Sequence, residues 1–235
     1  MRALRRSARL VRHGVAATVL LGTAAAASAE DRGWYVGVMR DSTSVYVTYG
    51  NCYYYCDSQS GPSSSGYELR GGLRLNRHLA VDFGLQRNSD LKWTEPFATV
   101  PDVPGGPYDS QVVFDASIAQ ATVAGIVPFG QVFEFSARGG LGFYGLNGEQ
   151  SLTDVRGGPS LSRSVSSHGT GFLYGIGFGA TVGKAWHLSL EYQSASIGKT
   201  FLGVASGDNY AELDTVALGI ELRFGRNRSG GGGGR

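Results

Sequence analysis

The sequence predicts an all-β fold, an eight-stranded antiparallel up-and-down transmembrane β-barrel, and three observations carry that prediction. Runs of alternating apolar and polar residues recur along the chain, while apolar spacing at the helical period is nearly absent after residue 29. The connections between these runs alternate between short and long. The less apolar face of the runs holds charges of both signs in near balance, a set suited to a narrow lumen.

The first run, 33–42, sets Trp34, Val36 and Val38 on one face. Runs 65–75 and 79–88 are joined by Asn76-Arg77-His78, and their apolar faces read Tyr67, Leu69, Leu73, Leu75 and Leu79, Val81, Phe83, Leu85. The fourth run, 111–127, fits worst: Gln120 or Asp115 points outward in either frame, which predicts a bulge or a shorter membrane segment. After Gly130-Gln131 comes 132–145, with Phe133, Phe135, Ala137, Leu141 and Phe143 in phase. Runs 169–182 and 186–198 meet at Gly183-Lys184-Ala185, with Phe172, Tyr174, Ile176, Phe178 and Val182 facing the same way as Leu188, Leu190 and Tyr192. The last run, 211–224, contains LDTVALGIELRF, which separates Val216, Leu218, Ile220, Leu222 and Phe224 from Thr215, Ala217, Gly219, Glu221 and Arg223.

Long polar connections are expected at 43–64, 89–110, 146–168 and 199–210. Seven connections, four long and three short, put both termini at the short-turn end, the periplasmic side of a barrel. In a membrane the apolar faces turn outward to lipid. The lumen then receives Glu68, Arg70, Arg74, Asp82, Glu134, Arg138, Glu191, Glu221 and Arg223. These five acids and four bases are expected to pair across the barrel as a plug. Gln86 and Gln193 share that face. Trp34, Phe129, Phe133, Trp186 and Phe224 fall beside the short turns, where an interfacial aromatic girdle belongs.

Residues 1–29 read as a signal peptide. Arg2, Arg5, Arg6, Arg9 and Arg12 precede an apolar run, and Ala27-Ser28-Ala29 supplies the cleavage site. Its removal takes the formal charge from +2 to −3, and no basic cluster in the barrel region supports nucleic-acid binding. The barrel domain is expected over 30–224, followed by a Gly-rich flexible tail at 225–235.

GWYVGV, GYELRGGLRLNRHLAVDFGL, FSARGGLGFYG and LDTVALGIELRF together resemble the eight-stranded outer-membrane barrels of Gram-negative bacteria, the OmpA-like and OmpX/Opa-like group. The resemblance spans roughly residues 32–224 and implies a location in the cell outer membrane, with partners in outer-membrane lipid, lipopolysaccharide and the barrel assembly machinery. Members of the group serve as structural proteins or adhesins, and a few modify lipids. Two features depart from the pattern. GRNRSGGGGGR stands where larger members carry a peptidoglycan-binding domain, and the terminal aromatic Phe224 is followed by eleven residues.

Cys52 and Cys56 frame CYYYC in the first long loop, a spacing that predicts a disulfide in an exported protein and presents Tyr53, Tyr54 and Tyr55 as a contact surface for a host or matrix ligand. No His accompanies the pair nearby, so no metal site is expected. His187, Ser189 and Glu191 alternate along one strand face. They fall on the lumen side near the periplasmic end, away from the outer leaflet where acyl chemistry on lipid A takes place. The expectation is therefore a monomer with a structural or surface-interaction role, with no catalysis and no cofactor. A lipid-modifying enzyme and a small channel stand as the alternatives.

Overall fold

The computed structural model describes residues 32–48, 59–60, 63–98, 108–158, 160–183, 185–197 and 210–224. The signal segment 1–29, Cys52, Cys56, Tyr53, Tyr54, Tyr55 and the tail 225–235 lie outside the described residues. The strands are β1 (Gly33–Thr48), β2 (Gln59–Ser60), β3 (Ser64–Asn76), β4 (Leu79–Ala98), β5 (Tyr108–Phe129), β6 (Phe133–Asp154), β7 (Leu161–Val182), β8 (Trp186–Ile197) and β9 (Tyr210–Phe224). All pair antiparallel, and β1 with β9 closes the order β1-β3-β4-β5-β6-β7-β8-β9 into a ring of eight. The two-residue β2 pairs only with the upper end of β1 among the described residues. Closure satisfies the backbone hydrogen bonds of the membrane-embedded strands, which hydrocarbon cannot do.

The turns at one end are tight because their residues allow it. Gly130 and Gly183 adopt φ of +68°, the left-handed region that glycine enters without a Cβ penalty. The Asn76 side chain accepts from the His78 amide at 2.7 Å and so caps the β3–β4 turn.

The outward faces form one apolar band. Trp34, Phe83, Leu85, Phe129, Phe172 and Leu218 are each more than 60% exposed. On β9 the band runs from Val216 to Phe224 and on β6 from Phe133 to Phe143, close to the ~9–11 residues of tilted strand that span a bilayer.

Two expectations about strand extent need correction. Residues 89–110 and 146–168 are strand for most of their length, since β4 runs to Ala98, β5 begins at Tyr108, β6 runs to Asp154 and β7 begins at Leu161. Four adjacent strands therefore rise above the lipid band as a wall, while β8, β9, β1 and β3 are shorter among the described residues. Polar outward residues such as Gln111, Ser151 and Ser164 gave these stretches the look of loops, although the alternation continues underneath.

The fourth run contains no bulge. β5 pairs with β6 without a register shift from Tyr108↔Asp154 to Phe129↔Phe133. Two register shifts lie across from it in β4: Ser89 and Asp90 stand against the single Asp115, with Asp90 at φ of 56°, and a second shift falls between Glu95 and Ala98. Gln120 faces the lumen, and Asp115 faces outward above the lipid band.

Candidate functional site

The lumen is filled in two tiers. The lower one is ionic. Arg70 donates through Nε to Glu68 at 2.7 Å and through Nη1 to both oxygens of Glu191, at 2.8 and 2.7 Å. Arg138 reaches the same Glu191 at 2.6 Å and lies 3.7 Å from Asp82. Nearer the short turns, Glu134 accepts from Arg74 at 2.9 Å and from Arg223 at 2.5 Å, while Arg223 also contacts Glu221 at 3.4 Å. The nine lumen charges thus form two groups, Glu68-Arg70-Glu191-Arg138-Asp82 and Arg74-Glu134-Arg223-Glu221. Side chains from five of the ring strands meet in them, because alternate residues of each strand project to the same axis.

Neutral groups extend this network upward. Gln120 bridges Glu68 at 2.6 Å and Gln193 at 3.0 Å, and Gln86 donates to Asn88 at 3.0 Å. Asn88 in turn donates to Asp41, and Thr43 shares a hydrogen bond with Thr215 at 2.9 Å. Among these, Asp41, Thr43 and Asn88 were not singled out from the sequence as lumen residues. The same alternation that assigned Arg70 and Asp82 reaches them when each strand is followed further.

The upper tier is apolar, contrary to the expectation of a plug of paired charges throughout the interior. Val45, Leu91, Trp93, Val112, Phe114, Leu146 and Leu213 are each at most 1% exposed and belong to one cluster that crosses the barrel. Above the membrane surface the outside of the wall meets water, so the apolar residues turn inward there, as in a soluble sheet.

His187, Ser189 and Glu191 do project into the lumen, each at most 5% exposed. His187 Nε2 lies 3.2 Å from Glu134, and Glu191 is held by two arginines. The Ser189 hydroxyl has no hydrogen-bond partner among the described residues, so no base is in contact with it. Ser189, Asp82 and Arg138 line a cavity of about 30 Å³ toward the short-turn end together with Tyr35, Glu134 and Glu221. No group of His, Cys, Asp and Glu suited to a metal ion occurs among the described residues.

The five girdle residues sit at the short-turn rim and point outward. Trp34 pairs in register with Phe224, and Phe129 with Phe133. Phe133 stacks on Phe178 with ring centres 5.6 Å apart.

The family model described as "Outer membrane protein beta-barrel domain" matches residues 14–224. No curated protein matches the chain. Similar solved structures include Ail, the attachment invasion locus protein of Yersinia pestis, at 15% identity and a TM-score of 0.42, covering 82% of this chain and 99% of that one. Neisserial surface protein A is 16% identical with a TM-score of 0.44, over 80% of this chain and 97% of that one. The outer-membrane protease OmpT of Escherichia coli is 7% identical with a TM-score of 0.41, over 86% and 99%.

Proposed function

The chain belongs to the outer membrane protein beta-barrel domain family and resides in the cell outer membrane, and from that premise we propose that it is a monomeric surface-interaction barrel without catalysis. The wall formed by β4–β7 is the observation that carries this reading. Its long-loop end faces the cell exterior and its short turns face the periplasm. Among the described residues β8 pairs with β7 only from Leu173 downward, which leaves 161–169, above the lipid band, as a sheet edge there. On the other side of the wall, β3 pairs with β4 only up to Asn88.

Such an edge accepts an extended polypeptide as an added strand, with affinity from the main chain and selectivity from alternate side chains. The outward side chains of β7 here are Ser162, Ser164, Ser166, His168 and Thr170, small or polar groups that leave the backbone approachable. The partner is then an extended segment of a host or matrix protein. Residues 1–29 direct export and are then removed, and assembly reads the final strand, which ends at Phe224. A Cys52–Cys56 ring displaying the three tyrosines adds a second contact. The filled lumen supports neither a catalytic cleft nor an open pore.

Adhesion of cells expressing the protein to matrix-coated surfaces tests this reading against S162K/S164K/S166K, which places charges along the edge. The variant should keep heat-modifiable gel migration and lose adhesion. Adhesion no greater than that of non-expressing cells, or equal in the variant, removes the reading.

A further inference from the structure

Asp41 is 3% exposed and stands in the lumen between the ionic tier and the apolar one. Its Oδ1 accepts from the Asn88 amide and from the Thr43 hydroxyl, the latter at 3.4 Å. Its Oδ2 has no hydrogen-bond partner, and its carboxylate makes no ion pair, among the described residues. Its chain neighbours Arg40 and Ser42 face outward. The ionic tier below holds five acids against four arginines and has no positive charge to spare. A carboxylate buried this deeply is ordinarily paired or coordinates a cation.

Gln86 is also 3% exposed. Its amide nitrogen donates to Asn88 at 3.0 Å, to Thr43 at 3.3 Å and to Thr215 at 3.4 Å, while its Oε1 has no partner among the described residues. Asp41 and Gln86 are therefore held by the same two side chains, Thr43 and Asn88, and each keeps one oxygen free. Gln193, in register with Thr215 on the adjoining strand, keeps its Oε1 free as well. The unsatisfied side-chain atoms of this neutral layer are thus all acceptors. In the ionic tier they are mixed, Arg138 Nε and Arg223 Nε beside Asp82 Oδ1, a set that water can serve from both sides. The register builds the acceptor layer. Asp41, Gly66 and Asn88 lie in line on β1, β3 and β4, and a Cβ on Gly66 would collide with the Asn88 amide nitrogen. Glycine at that point opens the path by which Asn88 crosses β3 to hold Asp41.

We infer that this layer binds a monovalent alkali cation, sodium in the medium outside the cell, through Asp41 Oδ2, Gln86 Oε1 and Gln193 Oε1. One positive charge neutralises the one unpaired carboxylate. The donor set is oxygen alone, hard ligands that suit alkali and alkaline-earth ions and not the transition metals that imidazole and thiolate select. A divalent ion fits less well: calcium takes about 6–8 oxygens, carboxylates prominent among them, and would leave a net positive charge buried beside Asp41. A proton bridges two oxygens, whereas a cation gathers three, the number left free here. The ion then lies between the arginine network below and the apolar cluster above, so it is held in place and does not conduct.

The test uses the folded, full-length protein in detergent, with the urea midpoint of the heat-modifiable gel band read in sodium chloride and in choline chloride of equal ionic strength. A site half filled at about 10 mM sodium shifts the unfolding equilibrium about tenfold toward the folded state at about 100 mM. The parent midpoint should rise accordingly. D41N removes the charge and sets an amide donor toward the Gln86 oxygen, so its midpoint should be the same in both salts and, in choline, at or above that of the parent. Q86E puts a second carboxylate beside Asp41, and its midpoint should rise with calcium chloride where the parent's does not. That comparison stands even where D41N fails to fold. Equal parent midpoints in sodium and choline overturn the assignment, as does a sodium response of the same size in D41N. A parent that ignores sodium and loses stability as pH rises holds a proton there, and one that answers calcium alone holds a divalent ion; either result also overturns it.

Discussion

Arg70 on β3 and Glu191 on β8 are separated around the ring by β1 and β9, yet one guanidinium nitrogen of Arg70 serves both carboxylate oxygens of Glu191, at 2.8 and 2.7 Å. Both side chains are at most 5% exposed. Such a bond fixes the lumen diameter at that level, because neither partner has water to turn to. Arg70 also holds Glu68, so replacing it with leucine leaves Glu68 without a cation, bound only by Gln120, and leaves Glu191 with Arg138 alone. Arg70→Leu should destabilise the barrel by about 3–5 kcal/mol, the usual loss when one member of a buried ion pair is removed. The denaturant midpoint of the heat-modifiable gel band reports it.

Arg138 shares Glu191 and faces Asp82 at 3.7 Å through Nη1, but its Nε and Nη1 make no hydrogen bond among the described residues. Arg138→Leu therefore removes one short hydrogen bond and the loose ion pair to Asp82, and at the same time relieves two unmet donors. It should lower stability, and by less than Arg70→Leu in the same assay. A larger loss for Arg138→Leu contradicts the network described above.

Adjacent glycines on opposite faces of β6 give a sharper contrast. A Cβ on Gly140 falls 2.0 Å from the Ala121 carbonyl oxygen, a backbone atom held by the β5–β6 ladder. A Cβ on Gly139 meets nothing nearer than 3.9 Å. Gly140→Ala should cost about 1–3 kcal/mol by overpacking, while Gly139→Ala stays near the parent value. Equal midpoints for the two variants in urea would show that β5 and β6 yield at this point.

How far the sequence could be read depends on one physical boundary. Within the lipid band alternation was decisive: grease outward made Val216, Leu218 and Ile220 lipid-facing and left Glu221 and Arg223 for the lumen. Above the band the rule inverts. β5 keeps a single phase along its length, yet its lipid-level residues put Val123 and Val127 outside and Gln120 and Thr122 inside, while higher up Val112 and Phe114 are inside and Gln111 and Asp115 outside. That inversion is why neither frame fitted run 111–127. In β4 the bulge at Ser89-Asp90 adds a true change of phase, so Leu91 and Trp93 enter the lumen at odd positions after Gln86 and Asn88 entered at even ones. Nothing in a window of four or five residues marks where the membrane ends, and Leu91-Lys92-Trp93-Thr94 was legible only as part of a polar stretch.

The bulge is accordingly the hinge of the upper tier, and Asp90 is its critical residue. Its φ of 56° suits glycine or aspartate and opposes a β-branched side chain. Asp90→Gly should leave stability nearly unchanged, and Asp90→Val should cost about 1–2 kcal/mol. Deleting Asp90 removes the phase change itself, sending Leu91 and Trp93 to the water-facing side and opening the apolar tier. In planar bilayers the parent protein should give no ohmic current steps, since Trp93 and Phe114 fill the lumen above the ion pairs. The deletion should show either steps or loss of the folded band. Steady conductance in the parent protein at low protein load sinks the closed-lumen reading, and a deletion variant as stable and as silent as the parent shows that the bulge does not set the phase.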